Sequence, residues 1–416
     1  MNGTVHLLDD DPPGRRPTYR VALVHSFYSS RQPSGENTVV LDQAEALRAA
    51  GHDVTVVAAH TDSLETVPGY PLRAALRVAT GHGRSPLAEL SRLRPDVVHV
   101  HNLFPNFGTG WLGHWRGALV ATVHNYRPVC AAGTLFREGR LCTACPDGDR
   151  WAGLRHGCYR GTRRATLPLA WAGRRGPAVH PVLRRAHRLV VLSEYSRAFY
   201  LRFGLPAEKF ALVPNFVDSA RAVPSPKPAL ESRGKGSHWV FAGRLSEEKG
   251  IVPLLRHWPE SEPLDVIGSG PLESDCNKGL KRSVRLLGGL PRDQLLNRLP
   301  HYTGLIFPSV CPEMAPVIYQ EAMAAGVPVL ALAGSAAADS VVRDGSGAVY
   351  RDADELPRAL AAARELFPSL REHCRNVHAE RYAASSWTTA MASVYAGAVR
   401  QAEAGRERTV EASAAD

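Results

Sequence analysis

Apolar residues gather along this chain into short, nearly unbroken runs of strand length, separated by longer stretches with helical spacing. Tyr19–His25 (YRVALVH) is the first such run. A run without polar alternation marks a parallel strand covered on both faces. After the loop Pro33-Ser34-Gly35-Glu36-Asn37 come apolar Val39, Val40, Ala44, Leu47 and Ala50, a spacing that predicts a helix over 38–50 stopped at Gly51. Asp53–Ala59 (DVTVVAA) completes a strand–helix–strand unit. Further strands are predicted at Val97–His101, Ala118–His124 and Arg188–Ser193. Val213–Asp218 (VPNFVD) then opens a connection, and residues 219–237 hold three prolines and little periodicity. A second series follows at His238–Ala242, Leu264–Ile267, Val284–Leu287, Thr303–Pro308 and Val327–Leu332. Helical spacing returns at Glu355–Leu366 and Trp387–Ala402.

Two strand–helix series in one chain predict an α/β protein of two doubly wound, Rossmann-like domains. The expected partition is a loose leader 1–18, an N-terminal domain 19–218 with an insertion at 126–188, a C-terminal domain 219–385, a C-terminal helix 386–403 and a frayed tail 404–416. The 416 residues suit this, because a single core rarely grows beyond about 250–300 residues.

Composition changes the picture in two places. The net charge of +10 favours anionic partners, and residues 150–188 carry ten arginines with no acidic residue. That stretch is either a solvated face or a contact for an anionic membrane; nucleic acid is the less favoured partner. No run of 18 apolar residues is present, the first 18 residues lack the pattern of a secretory signal, and the seven cysteines are odd in number. The expected location is therefore cytoplasmic, with peripheral contact at the inner face of a membrane.

The candidate chemistry lies where strands end, since open α/β sheets bind ligands beyond the carboxyl ends of their strands. From Leu305 to Val329 the chain reads LIFPSVCPEMAPVIYQEAMAAGVPV. Glu313 and Glu321 are eight apart, which predicts Glu313 at a helix mouth and Glu321 about two turns along the same face. The N–H groups of Met314, Ala315 and Val317 are expected to be open to an anion or sugar hydroxyls. In WVFAGRLSEEKG, Gly243 allows close backbone approach, while Arg244 and Lys249 suit a diphosphate. Gly35 marks a weaker phosphate cradle, and Gly268-Ser269-Gly270 reads as a structural turn. His124 ends a strand, where it can bind hydroxyls or move a proton; His99 and His101 compete for that role.

Together SGEN, LRAAGHDVTV, PDVVHVH, TVHN, VVLSEYSR, VPNFVD, FAGRLSEEKG, VIGSGP and PEMAPVIYQEAMAAGVPV resemble the retaining GT-B glycosyltransferases of family 4, over roughly residues 19–400. The resemblance implies two facing domains with a cleft, a nucleotide-diphosphate sugar donor (UDP- or GDP-linked), a hydroxyl acceptor on a small molecule, lipid or glycan, and no cofactor or metal in catalysis. It further implies that Arg244 and Lys249 hold the diphosphate, Glu313 lies by the transferred sugar, Glu321 binds the ribose and His124 contacts the sugar. Gly35 would allow the first loop to approach donor and acceptor, and backbone groups near Leu287 would read the base. Two departures stand out. Glu313-Met314-Ala315-Pro316 replaces the common Glu-Gly-Phe-Gly, so Pro316 removes one donor, and Ser34-Gly35 replaces a double glycine. The alternatives are a sugar-nucleotide epimerase on the same fold and a non-catalytic anion- or nucleic-acid-binding module.

One cluster stands apart from this chemistry. Cys130, Cys142, Cys145 and Cys158 follow the spacing C-x11-C-x2-C-x12-C in the Arg- and Gly-rich insertion. Four thiolates suit a tetrahedral structural zinc; free or redox-active thiols and disulfides are the other readings.

Overall fold

The computed structural model describes residues 17–30, 35–218 and 238–414. Ser34, most of the predicted leader and the predicted boundary stretch 219–237 lie outside the described residues. The first sheet contains β1 (Arg20–Phe27), β2 (Asp53–His60), β3 (Val97–Asn102) and β4 (Ala118–Thr122). A small antiparallel hairpin, β5 (Phe136–Arg137) and β6 (Arg140–Leu141), projects from the insertion. Two further strands, β7 (Arg188–Val191) and β8 (Phe210–Leu212), complete the sheet in the order β2-β1-β3-β4-β7-β8, with every pair parallel. The second sheet comprises β9 (Trp239–Ala242), β10 (Leu264–Ile267), β11 (Val284–Gly288), β12 (Leu305–Phe307), β13 (Val329–Leu332) and β14 (Gly347–Tyr350). Its order is β11-β10-β9-β12-β13-β14, also all parallel.

Burial explains the strand pattern. β1 is buried at seven of its eight positions and β4 at all five, as strands covered by helices on both faces must be. The predicted strands are all present, within a few residues at their ends. β8 and β14 are additions to the predicted set, because three or four residues at a sheet edge leave no readable run. The first helix spans Gly35–Ala49 and buries Val39, Val40, Ala44 and Leu47 as expected. In both sheets the strand order reverses beside the first strand, at β1/β3 and at β9/β12, and these crevices define the site side of each domain.

The C-terminal helix differs from the expectation. It runs Ala384–Ala414, so the predicted tail continues it to Ala414, through residues that are mostly good helix formers. Trp387, Met391, Val394, Tyr395, Ala398 and Ala402 bury one face in the core of the first sheet. The chain thus ends on the domain in which it began. The preceding helix, Leu356–Val377, also extends well past the predicted 355–366 and carries Pro368 inside it.

Candidate active site

Gly250 brings the two main loops of the second domain together. Its φ is 68°, and a Cβ there would lie 2.2 Å from the Pro308 carbonyl oxygen, so only glycine fits without displacing backbone. The Val310 N–H donates to the Glu248 carbonyl at 3.0 Å. The turn after β9 is thereby laid along the loop after β12, and Lys249 Nζ donates to Glu313 Oε2 at 2.5 Å. The Ser309 hydroxyl holds the other oxygen of the same carboxylate. Burial by itself would lower the Lys249 ammonium, but Glu313 outweighs it and holds the group above the ordinary lysine pKa. Gly243 and exposed Arg244 directly follow β9 on the same turn. The neighbouring Gly268-Ser269-Gly270 turn is structural, as expected. A Cβ at Gly268 would sit 1.8 Å from the Gly243 carbonyl oxygen, and one at Gly270 would sit 2.4 Å from that of Leu245.

Glu313 does not stand at a helix mouth. The helix begins only at Val317, with Pro316 extended at φ −72° and ψ 110°, and the Glu313 N–H is turned onto the Cys311 carbonyl. A residue before proline is pushed out of the helical region, so Ala315 cannot carry the helix back to Glu313. The eight-residue spacing is therefore spent on four loop residues and one helical turn, not on two turns of one face. Met314 is buried in the core cluster of the first sheet and Ala315 packs against it. This loop is thus a point where the second domain touches the first.

Glu321 lies inside the helix Val317–Ala324 and is 5% exposed. Burial raises its carboxyl pKa, while Arg292 opposes that rise. Arg292 Nε donates to Glu321 at 2.8 Å, and its Nη1 donates to Asp42 on the first helix of the other domain at 2.7 Å. Glu321 is thus already engaged by a cross-domain arginine, which sequence reasoning does not single out. Leu287 packs against the core of the second sheet and precedes Gly288, whose φ is 69° and whose carbonyl accepts from Gly268. On the first domain, Gly35 opens its helix, and among the described residues nothing lies within 4 Å of a Cβ built there.

The three competing histidines have separate stations. His99 is fully buried, between the Tyr395 hydroxyl at 3.0 Å and Thr122 Oγ1 at 2.7 Å, so it belongs to the core. His101 is also buried, and its Nδ1 is 2.9 Å from His124 Nε2. Only His124 is half-buried, at the end of this row. Burial lowers the His99 and His124 pKa values to about 3 and that of His101 far below the usual range. His124 is therefore neutral at pH 7, suited to hydrogen-bonding a hydroxyl and poorly matched to moving a proton. The near-neutral group is instead Glu36, which the sequence reading passes over in favour of Gly35. Burial lifts its carboxyl to about 7 against the opposing Arg127, and Asn125 Nδ2 donates to it at 3.4 Å. The signal available in the sequence is an acidic residue directly after the glycine of a helix-opening loop.

Cys130, Cys142, Cys145 and Cys158 are half-buried and line one small cavity. As placed, no three His, Cys, Asp or Glu side chains among the described residues are set to hold one ion together. Cys276, Cys311 and Cys374 are buried elsewhere. No helix among the described residues is long and apolar enough to cross a membrane.

Two facing parallel-sheet domains with these loops at their crevices define the GT-B class of fold. Of the solved structures, sucrose-phosphate synthase from Thermosynechococcus elongatus superposes with a TM-score of 0.64 at 18% identity, over 93% of this chain and 99% of that one. Anabaena HepE in complex with UDP-glucose does so at 0.58 and 15%, over 91% and 99%. The family model described as Glycosyltransferase Family 4 matches residues 33–221, and that described as Glycosyl transferases group 1 matches residues 236–367. The chain belongs to the family-4 type of GT-B glycosyltransferases. Among curated proteins, the GDP-mannose-dependent alpha-(1-6)-phosphatidylinositol monomannoside mannosyltransferase of Mycobacterium tuberculosis is 29% identical over 221 residues, 46% of this chain and 56% of that protein. The match thus spans about half the length of that relative.

Proposed function

We propose that this chain transfers a sugar, with retention of anomeric configuration and without a catalytic metal, from a UDP- or GDP-linked donor to a hydroxyl acceptor. The observation that carries the reading is the Lys249–Glu313–Ser309 group beside the Gly243-Arg244 turn, at the carboxyl ends of β9 and β12. In this reading Arg244 and Lys249 hold the diphosphate, and Glu313, tied to Lys249, lies against the sugar. In the same reading the amides of Met314 and Ala315 in the loop and of Val317 at the helix start are offered to the donor, and Pro316 supplies none. The anomeric carbon–phosphate oxygen bond breaks as the acceptor oxygen–carbon bond forms on the same face. The departing diphosphate keeps the bonding electron pair and takes the acceptor's proton. Charge building on that phosphate is what the cations stabilise, which is commonly the largest catalytic effect. The HepE complex with UDP-glucose and the GDP-mannose dependence in the mycobacterial relative's name support a nucleotide-sugar donor of either base.

A lipid acceptor at a membrane face fits a second feature. Helix Tyr70–Thr80 packs on helix Arg163–Gly173. Leu72 (67% exposed), Leu76 (56%), Leu167 and Trp171 are left outside, next to the arginines of 150–188. Exposed apolar side chains rimmed by cations suit an anionic bilayer surface. Sedimentation with vesicles containing anionic lipid is expected to pull the protein down at low salt and release it at high salt. Failure to sediment with these vesicles would remove the membrane from this reading, and equal recovery with neutral vesicles would remove the anionic contact.

The donor assignment is tested with UDP- and GDP-sugars by thermal shift, then by calorimetry with the stabilising donor. Glu321→Ala is expected to weaken binding roughly 5- to 150-fold, because a buried ribose diol loses a partner worth about 1–3 kcal/mol. No donor stabilising the protein, or an unchanged affinity in the variant, would count against the assignment. Hydrolysis of the donor without any acceptor would favour an epimerase instead.

A further inference from the structure

We propose that Cys130, Cys142, Cys145 and Cys158 form a structural zinc site that braces the insertion beside the cleft; this does not depend on the donor or acceptor assigned above. The four cysteines come from separate local structures that converge. The Cys130 N–H donates to the Tyr126 carbonyl at 2.8 Å, closing the turn after β4. Cys142 follows β6, and its N–H reaches the Leu135 carbonyl at 2.7 Å across the hairpin. Cys145 ends the Cys-Thr-Ala-Cys turn. The Cys158 N–H donates to Gly153 at 3.0 Å after the short helix Ala152–Arg155. All four side chains line the same cavity, along with Ala131, Arg137 and Gly153. No carboxylate or imidazole lines it, so the donor set is four sulfurs and nothing else. Such a set selects zinc among the common divalent ions.

Two observations point from convergence to a ligand. The Gly153 N–H donates to Cys145 Sγ at 3.3 Å, the outer-shell contact that orients a thiolate toward a metal. A Cβ on Gly153 would lie 3.2 Å from the Ala131 Cβ and 3.5 Å from that sulfur, so the cavity wall is kept small beside it. A disulfide joins cysteines in pairs, whereas here all four share one cavity. The four sulfurs do not yet close into a tetrahedral shell, but each turns on a single side-chain bond with three staggered wells. Zinc binding then needs rotation about those bonds, because the backbone has already brought the four cysteines to one cavity.

The insertion also has something to be braced. Three of its residues, Leu135, Glu138 and Arg160, adopt the left-handed conformation without being glycine. That costs free energy, which metal binding can offset. The Arg127 guanidinium stacks on Phe104 at 4.4 Å and on Tyr159 at 5.4 Å, and its backbone N–H is held by Asn125 Oδ1 at 3.0 Å. Arg127 lies three residues before one proposed ligand, and Tyr159 directly after another. The zinc would therefore fix the wall that carries Arg127 and Asn125 next to Glu36.

The test begins with the full-length wild-type protein, purified without chelator, so that it does not depend on a variant folding. Elemental analysis is expected to give about one zinc per chain. A strong chelator is expected to release that zinc and expose four additional reactive thiols together. Cobalt added to the stripped protein should give the absorption of a thiolate-bound ion. Cys145→Ser and Cys142→Ser are each expected to drop bound zinc to near zero and to lower Tm, whereas Cys276→Ser keeps the zinc. Absence of zinc with the four thiols reactive in the native state would overturn the proposal. So would iron with visible colour, or an intact mass reduced by the hydrogens of disulfides.

Discussion

Lys249→Met is expected to lower kcat by about two to three orders of magnitude while moving KM much less. The substitution keeps most of the side-chain stem and removes the ammonium that lies 2.5 Å from Glu313. In the proposed reaction, negative charge on the leaving diphosphate grows toward the transition state, so a cation there acts more on the rate than on ground-state affinity. Lys249 has a structural role as well, because it pairs a carboxylate that is largely buried. Loss of the pair is expected to lower stability, and the Tm of the variant must be measured beside its kinetics. Lys249→Arg restores a cation without the same reach and is expected to recover only part of kcat. A Lys249→Met enzyme with wild-type kcat at saturating donor would remove Lys249 from the catalytic group. A loss wholly accounted for by unfolding at the assay temperature would do the same.

The second large effect is a loss of stability as pH falls below about 6.5. Burial lowers His25 to about 4, His99 and His124 to about 3, and His101 further still. In the unfolded chain each of these takes a proton near the ordinary histidine pKa of about 6.5. Folded-state pKa values below the unfolded ones mean that the unfolded chain binds more protons in this window. The native state is therefore fully favoured above about pH 6.5 and loses ground as pH falls toward 4 and 3. Each such group contributes up to about 1.4 kcal/mol per pH unit, so four acting together remove roughly 3–5 kcal/mol between about pH 6.5 and 5.5. Of this, Glu36, whose carboxyl burial raises to about 7, gives back about 1 kcal/mol because it binds its proton in the folded state. Thermal melts across pH 7.5 to 5 are the measurement. His99→Gln, which keeps a polar side chain between Tyr395 and Thr122, should reduce the slope by one group's share. A Tm that stays flat down to about pH 5 would show that these rings accept protons within the fold.

Much of the site is legible in the chain itself, for a local reason. A buried parallel strand needs an unbroken apolar run, and the loop after such a strand lies on the ligand side of the sheet. Gly243, Arg244, Lys249, Glu313 and His124 can therefore be placed from the chain alone as residues beyond strand ends. The glycines also speak for themselves where backbones touch, as Gly268 does against Gly243. The proline in Glu313-Met314-Ala315-Pro316 reads in the sequence as a lost donor. Its larger effect, delaying the helix to Val317, escapes that reading, because it depends on how the residue before it is forced out of the helical region.

What only the tertiary structure decided involves partners far apart in sequence. Arg292 joins Glu321 to Asp42 across 250 residues, and no periodicity announces a cross-domain ion pair. Among His99, His101 and His124, the assignment of roles was set by Tyr395 and Thr122. These two hold His99 in the core, and Tyr395 arrives only because the last helix folds back over the first sheet. Sequence spacing put four cysteines in one insertion, but only the hairpin and the turns around it brought their side chains to a single cavity. The sequence by itself determined the two sheets and the loops that carry the candidate site, because strands, turns and glycine positions are governed by neighbours along the chain. Which charge meets which carboxylate, and which histidine is left half-buried, was decided by packing between elements that the chain keeps tens to hundreds of residues apart.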